Sequence, residues 1–317
     1  MVYCEKKGGR AVNIKKSHRN KTISAPLSEL ERYSARVIDA AFLKNENSVT
    51  DKTVNGDMLE ICALLPHKSF DLVIADPPYN LRKKFGDTIF TKKNAEAYES
   101  YTRKWLSAVK PLIKDNGSIY VCCDWESSLI IGRVLGEFFC VRNRITWQRE
   151  KGRGAKSNWK NGCEDIWFAT VSDNYTFNLD AVKVRKKVLA PYRENGKPKD
   201  WQTEKDGKFR DTCPSNFWDD ITVPFWSMPE NTAHPTQKPE KLIAKLILAS
   251  SNPGDTVLDP FSGSGTTSVT AKKLGRHYLG IELDPGYCAW TELRLEIADN
   301  DKRIQGYEDG FFKDRNM

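Results

Sequence analysis

The 317-residue sequence predicts an α/β protein built on an open, doubly wound sheet with helices on both faces. Short runs of strand length alternate with amphipathic helical stretches from Val54 onward, and the runs are apolar throughout, as strands buried on both faces are. Two of these runs end in clusters of Asp, Pro and Gly, at the strand ends where sheets of this class place their ligands. The stretch 171–233 interrupts the alternation without ending it, which reads as an insertion.

The first two dozen residues show no periodicity and are expected to be loosely attached. Ser28 opens a helix with Glu31 completing a capping box. Leu30, Tyr33, Val37, Ile38, Ala41 and Phe42 give that helix one apolar face. Asn45, Asn47 and Ser48 mark the linker that closes a basic N-terminal extension, 1–50. Asp71 to Ala75 (DLVIA) is a buried strand, 96–113 a helix, and Ser118 to Cys123 a second buried strand. Residues 127–138 form a helix, and Ile145 to Trp147 and Ile166 to Thr170 are strands. The irregular stretch 171–233 is rich in Lys, Asp, Pro and Trp. Alternation resumes with a helix from Pro239 to about Ser251, a strand Thr256 to Asp259, a helix from about Gly265 to Leu274 and a strand His277 to Glu282. The main domain therefore joins 51–170 to 234–300, and 301–317 is a polar tail.

Hydrophobic residues make up 39% of the chain and charged residues 29%, enough for one large core. No apolar run approaches the roughly eighteen residues that a membrane span needs. The N-terminus is polar and charged, so a cytoplasmic location is expected. The eight cysteines form no C-x-x-C pair and the four histidines do not cluster with them, so no metal site is expected. The net charge is +8. Lys6, Lys7, Arg10, Lys15, Lys16, Arg19 and Lys21 crowd the start of the chain. A second basic run, Arg149, Lys151, Arg153, Lys156 and Lys160, is interleaved with Trp147 and Trp159. Basic groups with aromatics among them suit a nucleic acid, whose phosphates they neutralise and whose bases they stack on; a solvated loop is the alternative.

The strand Leu72 to Ala75 runs into Asp76-Pro77-Pro78-Tyr79-Asn80. Two prolines stop the strand, fix φ and remove two backbone donors. A rigid turn remains that offers acceptors, namely the Asp76 carboxylate and the Pro77 carbonyl. Such a pair suits an exocyclic amino group on an aromatic base. Its lone pair is delocalised into the ring, and two acceptors holding its N–H bonds bias the nitrogen toward a tetrahedral shape that can attack a methyl group. Tyr79 can stack on the base, and a base inside a duplex must first swing out.

The second cluster, Val257 to Thr267 (VLDPFSGSGTT), is strand, glycine-rich turn and helix start. Gly263 and Gly265 permit close backbone approach. About twenty residues on, the strand His277 to Ile281 ends in Glu282, where an acidic group holds ribose hydroxyls. A third small Gly or Ala is wanted by the dinucleotide fingerprint, but Ser268 stands there, and no phosphate loop of the G-x-x-x-x-G-K type is present. A nucleoside cofactor other than a dinucleotide is indicated.

With these residues the chain resembles the β group of amino DNA methyltransferases, in which the D-P-P-Y turn precedes the cofactor loop. Four segments carry the resemblance: Asn55 to Glu60 (NGDMLE), Asp76 to Asn80, His234 to Pro239 (HPTQKP), and Leu258 to Thr267 with Glu282. Together they span about 51–300. The resemblance implies a Rossmann-like methyltransferase sheet, mostly parallel with an antiparallel edge strand, and an inserted target-recognition region over 171–233. It implies S-adenosylmethionine as cofactor and double-stranded DNA as substrate, acting as a monomer or homodimer, with a cognate restriction endonuclease as a potential partner.

By position it assigns catalysis to Asp76, Pro77, Pro78 and Tyr79. The cofactor falls to Asp57, Asp76, Thr236, Gln237, Lys238, Asp259, Phe261, Gly263, Gly265, Thr266 and Glu282. Asp57 would meet the cofactor's adenine, although a helix N-cap is its alternative. Thr236, Gln237 and Lys238 would close over the methionine end. DNA would be held by Arg82, Lys83, Lys84, Arg149, Lys151, Arg153, Lys156 and Lys160. Asp at the first position of the turn points to N6 of adenine, since Ser there usually marks enzymes that methylate N4 of cytosine; cytosine N4 stays open. The order of the motifs disfavours RNA and protein methyltransferases, which place the cofactor loop first.

Overall fold

The computed structural model describes residues 17–44, 49–81, 83–85, 88–149, 157–188, 192–205, 207–232 and 234–314. Its centre is an eight-stranded sheet formed by β1 (Lys52–Asn55), β2 (Phe70–Ala75), β3 (Ile113–Cys123), β4 (Cys140–Gln148), β5 (Cys163–Thr170), β6 (Phe217–Trp218), β7 (Thr256–Asp259) and β8 (His277–Glu282). The spatial order is β1-β8-β7-β2-β3-β5-β4-β6. Every neighbouring pair is parallel except those made by β5, which runs antiparallel to both β3 and β4. The antiparallel strand thus lies two places in from the edge rather than at it. A hairpin explains the difference: β4 and β5 pair with each other, and it is the returning strand that pairs with β3.

Strand residues divide by alternation between two cores, as the period of two requires. Val73, Ala75, Ile119, Val121 and Cys123 face the helices α3 (Met58–Cys62), α4 (Ala95–Val109) and α5 (Trp125–Phe138). Leu72, Ile74, Tyr120 and Cys122 face the other way, against α6 (Glu240–Ser250) and α7 (Thr266–Lys273). The final long helix, α8 (Pro285–Asn300), sends Leu295 and Ala298 to that second core. The chain leaves adjacent strands β2 and β7 toward opposite faces, so a crevice opens at their carboxyl ends.

Three expectations are corrected. The N-terminal helix begins at Leu27, capped by Pro26 without a side-chain bond, so Ser28 is inside it and forms no capping box. It is also two helices, α1 (Leu27–Ser34) and α2 (Ala40–Leu43), because Ile38 leaves the helix to bridge Val54 at the sheet's edge. Residues 17–24 are attached: Lys21 N–H donates to Trp226 O (2.7 Å), and Ile23 N–H donates to Asn231 O (2.8 Å). Residues 1–16, with most of the first basic run, lie outside the described residues.

The stretch 171–233 is more regular than its sequence suggests, and it also supplies β6 to the central sheet. It contributes three strands of a second, five-stranded sheet, in the order Gln202–Glu204, Gly207–Thr212, Val184–Lys187, Phe311–Lys313, Tyr307–Glu308. The last two come from the stretch read as a polar tail. Phe312 is fully buried there among Val182, Val184, Ala244, Leu248 and Ile304. This satellite core fastens the insertion to α6. Phe312→Ala is expected to cost about 3–5 kcal/mol, the usual range for emptying a buried phenylalanine site. Urea unfolding measures it, and an unchanged midpoint would show that the C-terminal strand anchors nothing.

Candidate active site

The crevice holds a cavity of about 360 Å³ lined from both predicted clusters, with Asp76 to Tyr79 on one side and Asp259 to Ser264, Thr266 and Glu282 on the other. It also takes in Asp57, Thr236, Gln237 and Lys238. Four segments distant in sequence therefore meet in one pocket of ligand size.

The glycine turn is built by steric necessity. Gly265 has φ +76° and caps α7, and a Cβ there would come 2.3 Å from the Thr291 side chain. Gly263 has φ +53°, and a Cβ there would meet His234 at 3.1 Å. Both need glycine for backbone and space alike. Arg294 of α8, almost fully buried, pins the turn from behind by donating to Ser264 O (2.7 Å) and Thr266 Oγ1 (3.1 Å) while pairing with Glu240 (3.1 Å).

Glu282 accepts from Gly263 N–H and Asp284 N–H, each at 2.8 Å. One carboxylate thus holds the turn and still has lone pairs for ribose hydroxyls. Burial pushes its carboxyl up to about 7. Asp259, which accepts from Phe261 N–H at 3.0 Å, is pushed up to about 7 by the same cause. Phe261 rests edge-on against Trp105, ring centroids 5.5 Å apart. Asp57 caps α3 by accepting from Leu59 N–H (2.8 Å), so the capping role is present while the residue also borders the cavity.

On the other side, Asp76 Oδ1 accepts from the Tyr79 hydroxyl (2.9 Å) and Oδ2 from Lys238 Nζ (2.5 Å). Tyr98 donates to Pro78 O (3.3 Å). The Pro77 carbonyl accepts no hydrogen bond among the described residues. A carboxylate offers about four acceptor positions, so Asp76 keeps two beside the open Pro77 carbonyl.

Sequence reasoning missed Glu164. It is buried at the start of β5, and its Oε2 lies 3.2 Å from the Tyr79 hydroxyl and 3.4 Å from Lys238 Nζ. Because β5 is antiparallel, its first residues sit at the carboxyl edge of the parallel strands. Arg149, just past the end of the facing strand β4, pairs with Glu164 Oε1 and borders the cavity. Its Nε is buried without a partner among the described residues. It therefore forms part of the pocket wall. Gln237 borders the cavity as expected, and its side-chain amide is engaged within its own segment. Its amide oxygen accepts from Thr232 N–H (2.9 Å) and Oγ1 (2.7 Å), and its nitrogen donates to Glu230 O (2.7 Å). It holds its own loop together. Of the other basic residues, Lys160 is exposed, Lys83 and Lys84 lie on the short strand Lys83–Phe85, and Arg82, Lys151, Arg153 and Lys156 lie outside the described residues.

A nucleoside pocket that adjoins a rigid acceptor turn defines an enzyme acting on an amino-bearing base with a nucleoside cofactor. The chain belongs to the DNA methylase family: residues 70–293 match the family model N6_N4_Mtase. It is 36% identical over 255 residues to the DNA adenine methyltransferase YhdJ of Escherichia coli (strain K12), covering 78% of this chain and 83% of that protein. It is 35% identical over 241 residues to the type II methyltransferase M.HpaI of Haemophilus parainfluenzae, covering 74% and 71%. Among solved structures, the fold resembles the cytosine-N4-specific PvuII DNA methyltransferase (TM-score 0.58, 20% identity, 78% of this chain and 90% of that one). It also resembles the M1.HpyAVI–SAM complex (TM-score 0.52, 25% identity, 77% and 98%). The chain is an S-adenosylmethionine-dependent DNA methyltransferase. Among the described residues no helix is long and apolar enough to cross a membrane.

The residues present fit the cofactor. Glu282 and Asp259 offer carboxylates for hydroxyl or ammonium groups, and Gly263, at positive φ, adds no side chain to the cavity between them. Below about pH 7 the Glu282 carboxyl is protonated and loses acceptor capacity. Affinity for S-adenosylhomocysteine should therefore rise as pH increases, by about tenfold between pH 6 and 8 for one such group. Titration calorimetry checks this, with a weaker and flatter profile expected for Glu282→Gln.

Proposed function

We propose that the target atom is N6 of adenine in double-stranded DNA, reached by flipping the base into the pocket beside Asp76. The observation that carries this reading is the pair of oxygens at the β2 turn, the Asp76 carboxylate and the unoccupied Pro77 carbonyl. Asp at the head of the turn, with 36% identity to a protein named as a DNA adenine methyltransferase, supports adenine over cytosine. Relatives of the resembled group that act on cytosine N4 usually carry Ser there.

S-adenosylmethionine supplies an electrophilic methyl group on a sulfonium. The chain's own residues do the rest. Asp76 and Pro77 accept the two amino N–H bonds and draw the nitrogen lone pair out of the ring plane. Two prolines keep that geometry from relaxing. The proton released after transfer can pass to Asp76 or to water. Lys238 cannot take it, because the pull of Asp76 and Glu164 outweighs the burial that opposes its charge, and the ammonium is held protonated. Lys160, and with it Arg82, Lys83, Lys84, Lys151, Arg153 and Lys156, would grip phosphates beside the flipped base. The type II name of M.HpaI makes a cognate endonuclease the partner class to test, by protection of methylated DNA from cleavage.

Asp76→Ala should lower the transfer rate by about a thousandfold, as loss of a principal transition-state acceptor does. Binding of S-adenosylhomocysteine should stay within about threefold, since the retained Glu282 and glycine turn hold the nucleoside. Sequencing of modified bases in DNA from cells expressing the gene reads base and site together, and N4-methylcytosine there would overturn the adenine reading. DNA affinity should also fall steeply between about 50 and 200 mM salt if phosphate contacts dominate. A flat response in a binding titration would contradict the role given to the basic residues.

A further inference from the structure

We propose that Lys238 is a positioning residue for methyl transfer, holding the Asp76 carboxylate aimed with Glu164 behind it, and is not a ligand of the cofactor's methionine end. The proposal deepens the reading of Asp76 as the acceptor of the target amine and rests on it.

An ammonium has three donors. Lys238 Nζ has three oxygens around it: Asp76 Oδ2 at 2.5 Å, Tyr79 Oη at 3.1 Å and Glu164 Oε2 at 3.4 Å. Two of its donors are hydrogen-bonded, to Asp76 and Tyr79, and its charge pairs with Glu164, so the ammonium is turned into this cluster. The side chains of Lys238 and Glu164 are only 9% and 5% exposed, so water screens these two charges little, while Asp76 reaches the cavity. The Tyr79 hydroxyl lies within hydrogen-bond reach of both carboxylates, but its single proton serves one at a time. Two carboxylates so close, without cations, would force one to take a proton. Lys238 and Arg149 set two basic groups against the two carboxyl groups.

The other titratable groups facing Asp76 are Cys122 from β3, Tyr98 from α4 and Asp259 from β7. Burial keeps the thiol and the phenol neutral. Among the described residues, Lys238 is thus the cation that touches the reacting turn. Its segment also touches the cofactor side, since Thr236 borders the cavity and His234 packs on Gly263.

The test is single-turnover methyl transfer at saturating S-adenosylmethionine and target DNA from pH 5 to 9, with S-adenosylhomocysteine affinity measured alongside. Lys238→Met should slow transfer at pH 7 by about thirtyfold or more. It should also move the acid limb upward by about one pH unit or more, because Asp76 loses its cation. Cofactor affinity should stay within about threefold of wild type. Lys238→Arg should return the limb toward wild type. Glu164→Gln removes a neighbouring negative charge and should move the limb the opposite way, downward. A Lys238→Met enzyme with cofactor affinity weakened about tenfold and an unmoved acid limb would overturn the proposal, as would one with normal rate and profile. Should Lys238→Met fail to fold, Glu164→Gln decides, and a limb that stays or rises overturns it. An active Asp76→Ala enzyme would instead sink the underlying reading, independently of what Lys238 does.

Discussion

The ion pair between Asp76 and Lys238 joins two parts of the chain 162 residues apart. It forms only because the sheet brings β2 and β7 together and sends their loops to opposite faces, with the segment before α6 closing over the crevice. Burying such a pair has a large desolvation cost, and the remaining oxygens around Lys238 and the cation beside Glu164 offset it. A site assembled this way cannot exist in a partly folded chain. The acceptor turn, the glycine turn and the closing segment are each short and polar, and only the packed sheet holds them in register.

Each side of the pocket is stiffened by a different device. Prolines lock the acceptor side. On the cofactor side, glycines at positive φ are held from behind by Arg294 and from the front by Glu282. In the proposed mechanism the stiffness serves the chemistry. A delocalised amine must be bent out of its preferred plane, so its acceptors cannot be allowed to follow it back.

Much of this was legible because burial and period agree. β7 and β8 occur at Thr256–Asp259 and His277–Glu282, as read, since fully buried parallel strands are apolar from end to end. The turn at Asp76 and the loop at Gly263 were legible because Pro and Gly have few reasons to cluster at strand ends. The antiparallel hairpin was harder. β4 runs from Cys140 to Gln148, but its outer half is exposed, and only Ile145 to Trp147 resembled a strand. Without the direction of β5, nothing in the sequence could place Glu164 at the carboxyl edge or turn Arg149 inward. The second sheet was invisible for a related reason. Its strands are short and half exposed, and most of Phe312's core partners come from elements more than sixty residues earlier. Helix α8 has little amphipathic pattern because it is buried both against the sheet and against α1, through Ala289 and Leu293. Asp284 and Pro285 were its only local signals.

The most direct test of the central claim is a crystal structure of the enzyme with target DNA and a cofactor analogue. The account predicts an extrahelical adenine whose N6 lies about 3 Å from both an Asp76 carboxylate oxygen and the Pro77 carbonyl. An amino nitrogen held by other groups, with the oxygens at this turn beyond hydrogen-bond reach, would contradict it.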